Sequence, residues 1–282
     1  MVINKGLTDG SIIIPLNDDA IDEWDETLII DLSSPVNATA SGNQSITVTI
    51  NDGDDTAPTI NFTTTALGSG TTETASSNAT INFTDYISLN GKSGKDLWFS
   101  YTTEGGGAGT ADANQDYTPI TGAFKIAEDA LTPSTTIPLN ILSDDIDELD
   151  EQTVIITIDV LGADQNDDNS SYEATSNAES AIEGSMTFTY TIDDDDDLPN
   201  AFFKNVDGVD ASESGSVSED GTSKNIVVAL SSGSERDITL YYSDAGTGDA
   251  TSGSDYTAIT AFSTLTLSGA VGGAGDTEAL SL

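Results

Sequence analysis

Five consecutive aspartates, Asp193 to Asp197, are the residues of this chain with the plainest chemical potential. Three further acidic windows accompany them: Asp18, Asp19, Asp22, Glu23, Asp25 and Glu26; Asp52, Asp54 and Asp55; and Asp144, Asp145, Asp147, Glu148, Asp150 and Glu151. Two unit charges held 4 Å apart at an effective dielectric near 20 interact by about 4 kcal/mol. Carboxylates so crowded in a folded loop therefore call for a counter-ion. Calcium suits them, because it takes six to eight oxygens at about 2.3–2.6 Å in flexible geometry, whereas magnesium demands a tighter octahedron and keeps more of its water. The windows match neither the EF-hand loop nor the Gly-rich calcium nonapeptide.

The rest of the composition narrows the chemistry. Against 49 Asp and Glu stand seven Lys and Arg, for a formal charge of −42 over 282 residues. A polyanion of this kind is repelled by DNA, RNA and anionic headgroups, so nucleic acid is excluded as a partner and cations are favoured. The absence of Cys removes disulfides and thiolate chemistry, and the absence of His removes the commonest general base. A catalytic carboxylate pair is formally open, but the clusters fall at strand ends beside repeat boundaries, and no enzyme is expected. Lys92, Lys95 and Arg236 are too few to form a binding patch. Scattered acids such as Asp207, Asp210 and Glu213 read as solvated surface. No stretch is apolar for the roughly 18 residues that a membrane-spanning helix needs.

The elements that must position these acids are strands. In Ser45–Ile50 the residues Ile46, Val48 and Ile50 share one face, and Thr187–Ile192 repeats the alternation. Val154, Ile156, Ile158 and Val160 line one face of a third run, and Leu28, Ile30 and Leu32 one face of a fourth. β-Branched and aromatic residues dominate these runs, with Gly, Ser, Asn and Asp between them. Tyr117, Tyr256, Trp24 and Trp98 read as packing residues. The fold class is all-β, with tandem Ig-like antiparallel sandwiches of about seven strands each.

Internal repetition sets the organisation. D-D-A-I-D-E-W-D-E-T at 18–27 returns as D-D-I-D-E-L-D-E-Q-T at 144–153, and G-T-A-D-A-N-Q-D-Y-T at 109–118 returns as G-D-A-T-S-G-S-D-Y-T at 248–257. Breaks follow the acidic strand ends at Thr56-Ala57-Pro58 and Leu198-Pro199. Three units are expected: 1–56, the C-terminal part of a repeat; 57–197, a complete repeat; and 198–282, the N-terminal part of another.

The motif order resembles the Calx-β family, calcium-binding β-sandwiches of sodium–calcium exchangers, an integrin subunit and many bacterial surface proteins. The carriers are G-T-A-D-A-N-Q-D-Y-T, then T-I-P-L-N-I-L-S-D-D-I-D-E-L-D-E, then F-T-Y-T-I-D-D-D-D-D, with an early Glu at Glu73 or Glu219. The resemblance implies calcium ligands at Glu73, Asp116, Asp144, Glu148, Glu151, Asp194, Asp195 and Asp196, with the Ile146 carbonyl. Ser143 stands where fuller ligand sets have Asp. In the first unit it implies Asp18, Asp19, Ile21, Glu23, Glu26, Asp52 and Asp54, and in the third Glu219 and Asp255. The function expected on this ground is a calcium-stiffened segment of an extracellular bacterial filament, stalk or adhesin, its partners calcium and neighbouring repeats of the same chain or of like subunits. The alternative is a calcium-sensing regulatory module that binds a protein partner.

Overall fold

The computed structural model describes residues 1–52, 55–62, 71–72, 79–105, 111–149, 152–164, 186–206, 209–210, 218–219, 223–267 and 277–281. Among them the chain is all-β, with one short 3-10 turn at Phe83–Tyr86. No described helix is long and apolar enough to cross a membrane.

The middle of the chain forms two layers. A five-stranded sheet runs in the order Thr71–Thr72, Met186–Asp193, Gln152–Asp164, Asp96–Glu104, Thr121–Ile126. Its neighbours are antiparallel except at the edge, where Thr71–Thr72 lies parallel to Met186–Asp193. Facing it are two antiparallel pairs, Ile60–Phe62 with Ile87–Leu89 and Ala79–Asn82 with Pro138–Ile141. The core lies between the layers: Phe99, Val154, Ile156, Phe188 and Tyr190 from the large sheet meet Ile60, Phe83, Ile87, Leu139 and Ile141. Each fully buried aliphatic or aromatic side chain of this kind contributes about 1.5–3 kcal/mol. Tyr117 is buried among them, and Trp24 packs against the same core.

Alternation delivers Val154, Ile156 and Ile158 inward, as the sequence predicts. Val160 continues the face, half-buried but packed against the core, and the alternation breaks just after it. The register against Asp96–Glu104 shifts between Val160 and Gly162, and Ala163 takes up the core face beyond the bulge. Gly162 sits at φ 133°, a conformation that side chains disfavour, so a glycine marks the break.

On either side the chain is thinner. Glu26–Asp31 pairs with Ser45–Ile50, placing Leu28 opposite Val48 and Ile30 opposite Ile46. Leu32, expected on the same face, lies just past the strand and is exposed. After residue 200, Ala201–Val206, Asn225–Leu230 and Thr277–Ser281 form a sheet with Val209–Asp210, and Ile238–Tyr242 pairs with Ser263–Leu267. Val228 and Leu265 centre a small core there, supported by Ile226, Leu240 and Tyr242. The three parts meet at the acidic segments. Ile146–Asp147 pairs in parallel with Gly233–Ser234, and Asp22 forms a parallel bridge with Ser93.

Candidate metal centre

The acidic segment of the middle part leaves the strand Pro138–Ile141 and turns on its own carboxylates. Asp144 Oδ1 accepts the backbone N–H of Ile146 at 2.8 Å. Asp194, at the end of Met186–Asp193, accepts the N–H of Glu148 on Oδ2 at 3.2 Å and that of Asp196 on Oδ1 at 3.2 Å. One aspartate thus ties the acidic segment to the terminal run. Asp116 comes from the turn before Tyr117, where it accepts the N–H of Asp112 through Oδ2 and donates its own N–H to the Asp112 carbonyl at 3.0 Å. Its carbonyl receives the N–H of Leu142, so the turn is fastened to the start of the acidic segment. Asp116 and Glu148 are both buried, and the two carboxyls act on one another.

The first part of the chain repeats this network. Asp19 Oδ1 accepts the N–H of Ile21 at 2.9 Å, and Asp52 Oδ2 that of Glu23 at 3.0 Å. Asp19, Ile21, Glu23 and Asp52 hence take the places of Asp144, Ile146, Glu148 and Asp194. Asp25 adds a contact, accepting the N–H of Asp52 at 3.2 Å. Asp18 and Glu26 are exposed beside them. In the third part the turn of Asp116 recurs at Asp255: its Oδ2 accepts the N–H of Thr251 at 2.6 Å, and its N–H reaches the Thr251 carbonyl at 2.9 Å. Asn114 and Gly253, with φ of 68° and 83°, occupy the same left-handed position in the two turns. Asp255 is exposed, as is Glu219, and no hydrogen bond joins them among the described residues. Tyr256 donates its hydroxyl to Asp244, whose carboxyl is held below its ordinary range by that bond and by the Gly246 N–H. Glu73, Glu151 and Asp54 lie outside the described residues.

The electrostatics are those of anions short of a cation. Asp196 is pushed up to about 6, first by burial and then by Asp194, Asp195, Asp144 and Asp145. Its Oδ2 is buried without a hydrogen-bond partner among the described residues, a costly state for a polar atom. Burial also raises Asp116, against the lowering effect of the Asp112 N–H and Glu148. Glu23 is raised by burial and then by Asp19, Glu26 and Asp52. Among the described residues no three acidic groups converge closely enough to hold a metal as they stand. The donor chemistry nonetheless fits calcium: every candidate is a carboxylate or carbonyl oxygen, and the orphaned Asp196 oxygen and raised acids are what a divalent cation would relieve.

Several residues of this region escape the sequence reading. Glu235 arrives from the third part, accepts a hydrogen bond from Gln152 Nε2 at 3.0 Å, and is raised by burial and then by Asp116, Asp112 and Asp144. Arg236 donates from Nη2 to the Glu148 carbonyl, and Lys95 pairs with Asp22 at 2.7 Å with both side chains buried. The signal was present: Ser93-Gly94-Lys95-Asp96 recurs as Ser234-Glu235-Arg236-Asp237. Three isolated cations looked too sparse to matter because their partners are remote in sequence.

Comparison with known proteins now bears on the site. The Calx-beta domain family matches residues 2–54, 71–196 and 208–266. No curated protein sequence matches the chain. Among solved structures, CBD12 from CALX1.2 matches at 13% identity, covering 75% of this chain and 71% of that chain with a TM-score of 0.29. The calcium binding domain CBD12 of CALX1.1 matches at 14% identity over the same shares, with a TM-score of 0.28. The family match spans most of the chain and takes in both acidic segments and the terminal aspartates as far as Asp196, and the chain belongs to the Calx-beta domain family, a family of calcium-binding β-sandwiches.

Proposed function

We propose that this chain is a calcium-stiffened structural segment of an extracellular bacterial surface filament, stalk or adhesin, made of three Calx-beta units at 1–56, 57–197 and 198–282. In the middle unit calcium would be held by Asp116, Asp144, Glu148, Asp194, Asp195 and Asp196, by the Ile146 carbonyl, and by Glu73 and Glu151. In the first unit Asp18, Asp19, Glu23, Glu26, Asp52 and Asp54 with the Ile21 carbonyl would do so, and Glu219 and Asp255 would contribute in the third. Bound calcium supplies positive charge and a cross-link between loops; it needs no catalytic group, and no enzymatic role is proposed.

The observation that carries this reading is the position of the acidic segment. Asp194 fastens Glu148 to the terminal run, while the adjacent Ile146–Asp147 pairs directly with Gly233–Ser234 of the next unit. Ordering one side of such a segment orders the other. A surface location agrees with the acidity, and magnitudes separate the structural role from the sensing one. Extracellular calcium modules bind at about 10⁻⁴–10⁻³ M and sensors at about 10⁻⁷–10⁻⁵ M. Small-angle scattering of the chain with calcium and with chelator is the test. A longer, narrower distribution of end-to-end distance with calcium is expected; identical profiles would defeat the stiffening role, and a submicromolar affinity would favour a sensor.

A further inference from the structure

Two of the seven Lys and Arg residues occupy matching places. Lys95 and Arg236 each follow a serine by two residues, and each lies against the acidic segment of the preceding part of the chain. At the first junction Ser93 Oγ lies 3.1 Å from the Asp22 carbonyl and 3.4 Å from its Oδ2, Gly94 N–H donates to the Asp22 carbonyl at 3.0 Å, and Lys95 N–H donates to Ser93 Oγ at 3.1 Å. At the second, Ser234 Oγ donates to Asp147 Oδ2 at 2.6 Å, Glu235 N–H donates to the Asp147 carbonyl at 2.9 Å, and Arg236 N–H donates to Ser234 Oγ at 3.1 Å. Asp22, Asp147, Ser93 and Ser234 are all buried. Lys95 Nζ closes on Asp22 Oδ1 at 2.7 Å beneath the Trp24 ring, and Arg236 caps the Glu148 carbonyl.

We propose that Ser-x-(Lys/Arg) is a docking key whose serine takes the buried aspartate in the acidic segment of the preceding Calx-beta repeat and whose cation closes on that same segment, and that it sets head-to-tail repeat stacking without calcium. An extended segment sends successive side chains to opposite faces. Glu23 and Glu148 have their N–H groups tied to Asp52 and Asp194 on the calcium side, while Asp22 and Asp147 turn to the next repeat. Asp22 is thereby drawn from the ligand set by a serine and a lysine, and Asp147 by the Ser234 hydroxyl, with Arg236 held on the neighbouring Glu148 carbonyl. A buried ion pair loses most when one partner is removed, because the remaining charge is stranded. The middle residue of the key tells the junctions apart. A Cβ at Gly94 would stand 2.8 Å from Glu23 Cγ, so the first junction admits glycine, whereas the second carries Glu235 beside Gln152. Repeats are consequently matched to their neighbours rather than interchangeable.

The chain has no Cys, so paired spin labels can be placed at will. Exposed Thr47→Cys and Ala123→Cys report the first junction, and Ala123→Cys with Thr239→Cys the second. In chelator the full chain is expected to give narrow distance distributions at both. Lys95→Met and Asp22→Asn, which lie in different units, should each broaden the first at least twofold and leave the second unchanged; Lys95→Arg should keep it narrow. Parental widths in both charge-removing variants would overturn the key. So would broadening from only one of them accompanied by loss of strand signal in circular dichroism, which would mean a single unfolded unit. A parent that is broad in chelator and narrow only with calcium would overturn it while leaving calcium stiffening intact.

Discussion

Glu148→Gln should change sign with calcium. Glu148 is buried, its carboxyl acts on that of Asp116, and its backbone N–H is held on Asp194. Glutamine keeps its shape, carries no charge and brings an N–H donor. In chelator the substitution removes one member of a repelling pair. At about 4 Å and an effective dielectric near 20 the full repulsion is about 4 kcal/mol; burial raises Asp116 and relieves part of it, so a gain of about 1 kcal/mol is expected. With calcium the balance reverses. At one hundred times its dissociation constant a bound ion stabilises by about 2.7 kcal/mol, and a tenfold weaker site loses about 1.4 kcal/mol of that. Melting of the full chain, followed by circular dichroism in chelator and in saturating calcium, reads both arms. The variant should melt above the parent in chelator and gain less from calcium. A variant that melts below the parent in chelator, with an undiminished calcium gain, would refute the reasoning.

Three further expectations follow from particular contacts. Asp196 keeps its proton to about pH 6 when folded against an ordinary 3.8, so the folded state binds more protons in that window and stability in chelator should fall as pH rises from about 4 to about 6; urea midpoints measured across this range check it, and calcium should flatten or invert the slope. Gly105→Ala would put a Cβ 2.1 Å from the Ala111 carbonyl and 2.8 Å from the Tyr117 hydroxyl, forcing the Asp116 turn to move. It should cost about 1–3 kcal/mol and weaken calcium binding together, measurable by melting and calorimetry. Ile156→Ala, at the centre of the sandwich, should cost about 2–5 kcal/mol in chelator and calcium alike, because it touches no acidic segment.

What was legible in the sequence was what local period and exact recurrence encode. Val154, Ile156, Phe188 and Tyr190 alternate because a strand between water and core must, whereas Ile46 and Val48 keep the alternation in sequence but are exposed in the structure. The paired segments at 18–27 and 144–153 recur because the same Asp-to-backbone turns are built twice, through Asp19 and Asp52 and through Asp144 and Asp194. The bulge after Val160 was hidden, since a single extra residue leaves composition unchanged. The junctions were hidden for a different reason. Ser93 finds Asp22 across 71 residues and Ser234 finds Asp147 across 87, and a two-residue parallel pairing has no period to detect. Glu235 was missed with them, because its relevance depends on which repeat stands next to which.

The central claim is that these carboxylates bind calcium and that binding stabilises the fold. Calcium titration of the full chain by calorimetry, paired with melting curves, tests it most directly. Saturable binding is expected, with a melting temperature that climbs with calcium by the equivalent of about 2.7 kcal/mol at one hundred times the dissociation constant, and with magnesium weaker at equal concentration. An unchanged melting temperature and no heat of binding at roughly 10 mM calcium, far above the range of extracellular modules, would contradict it.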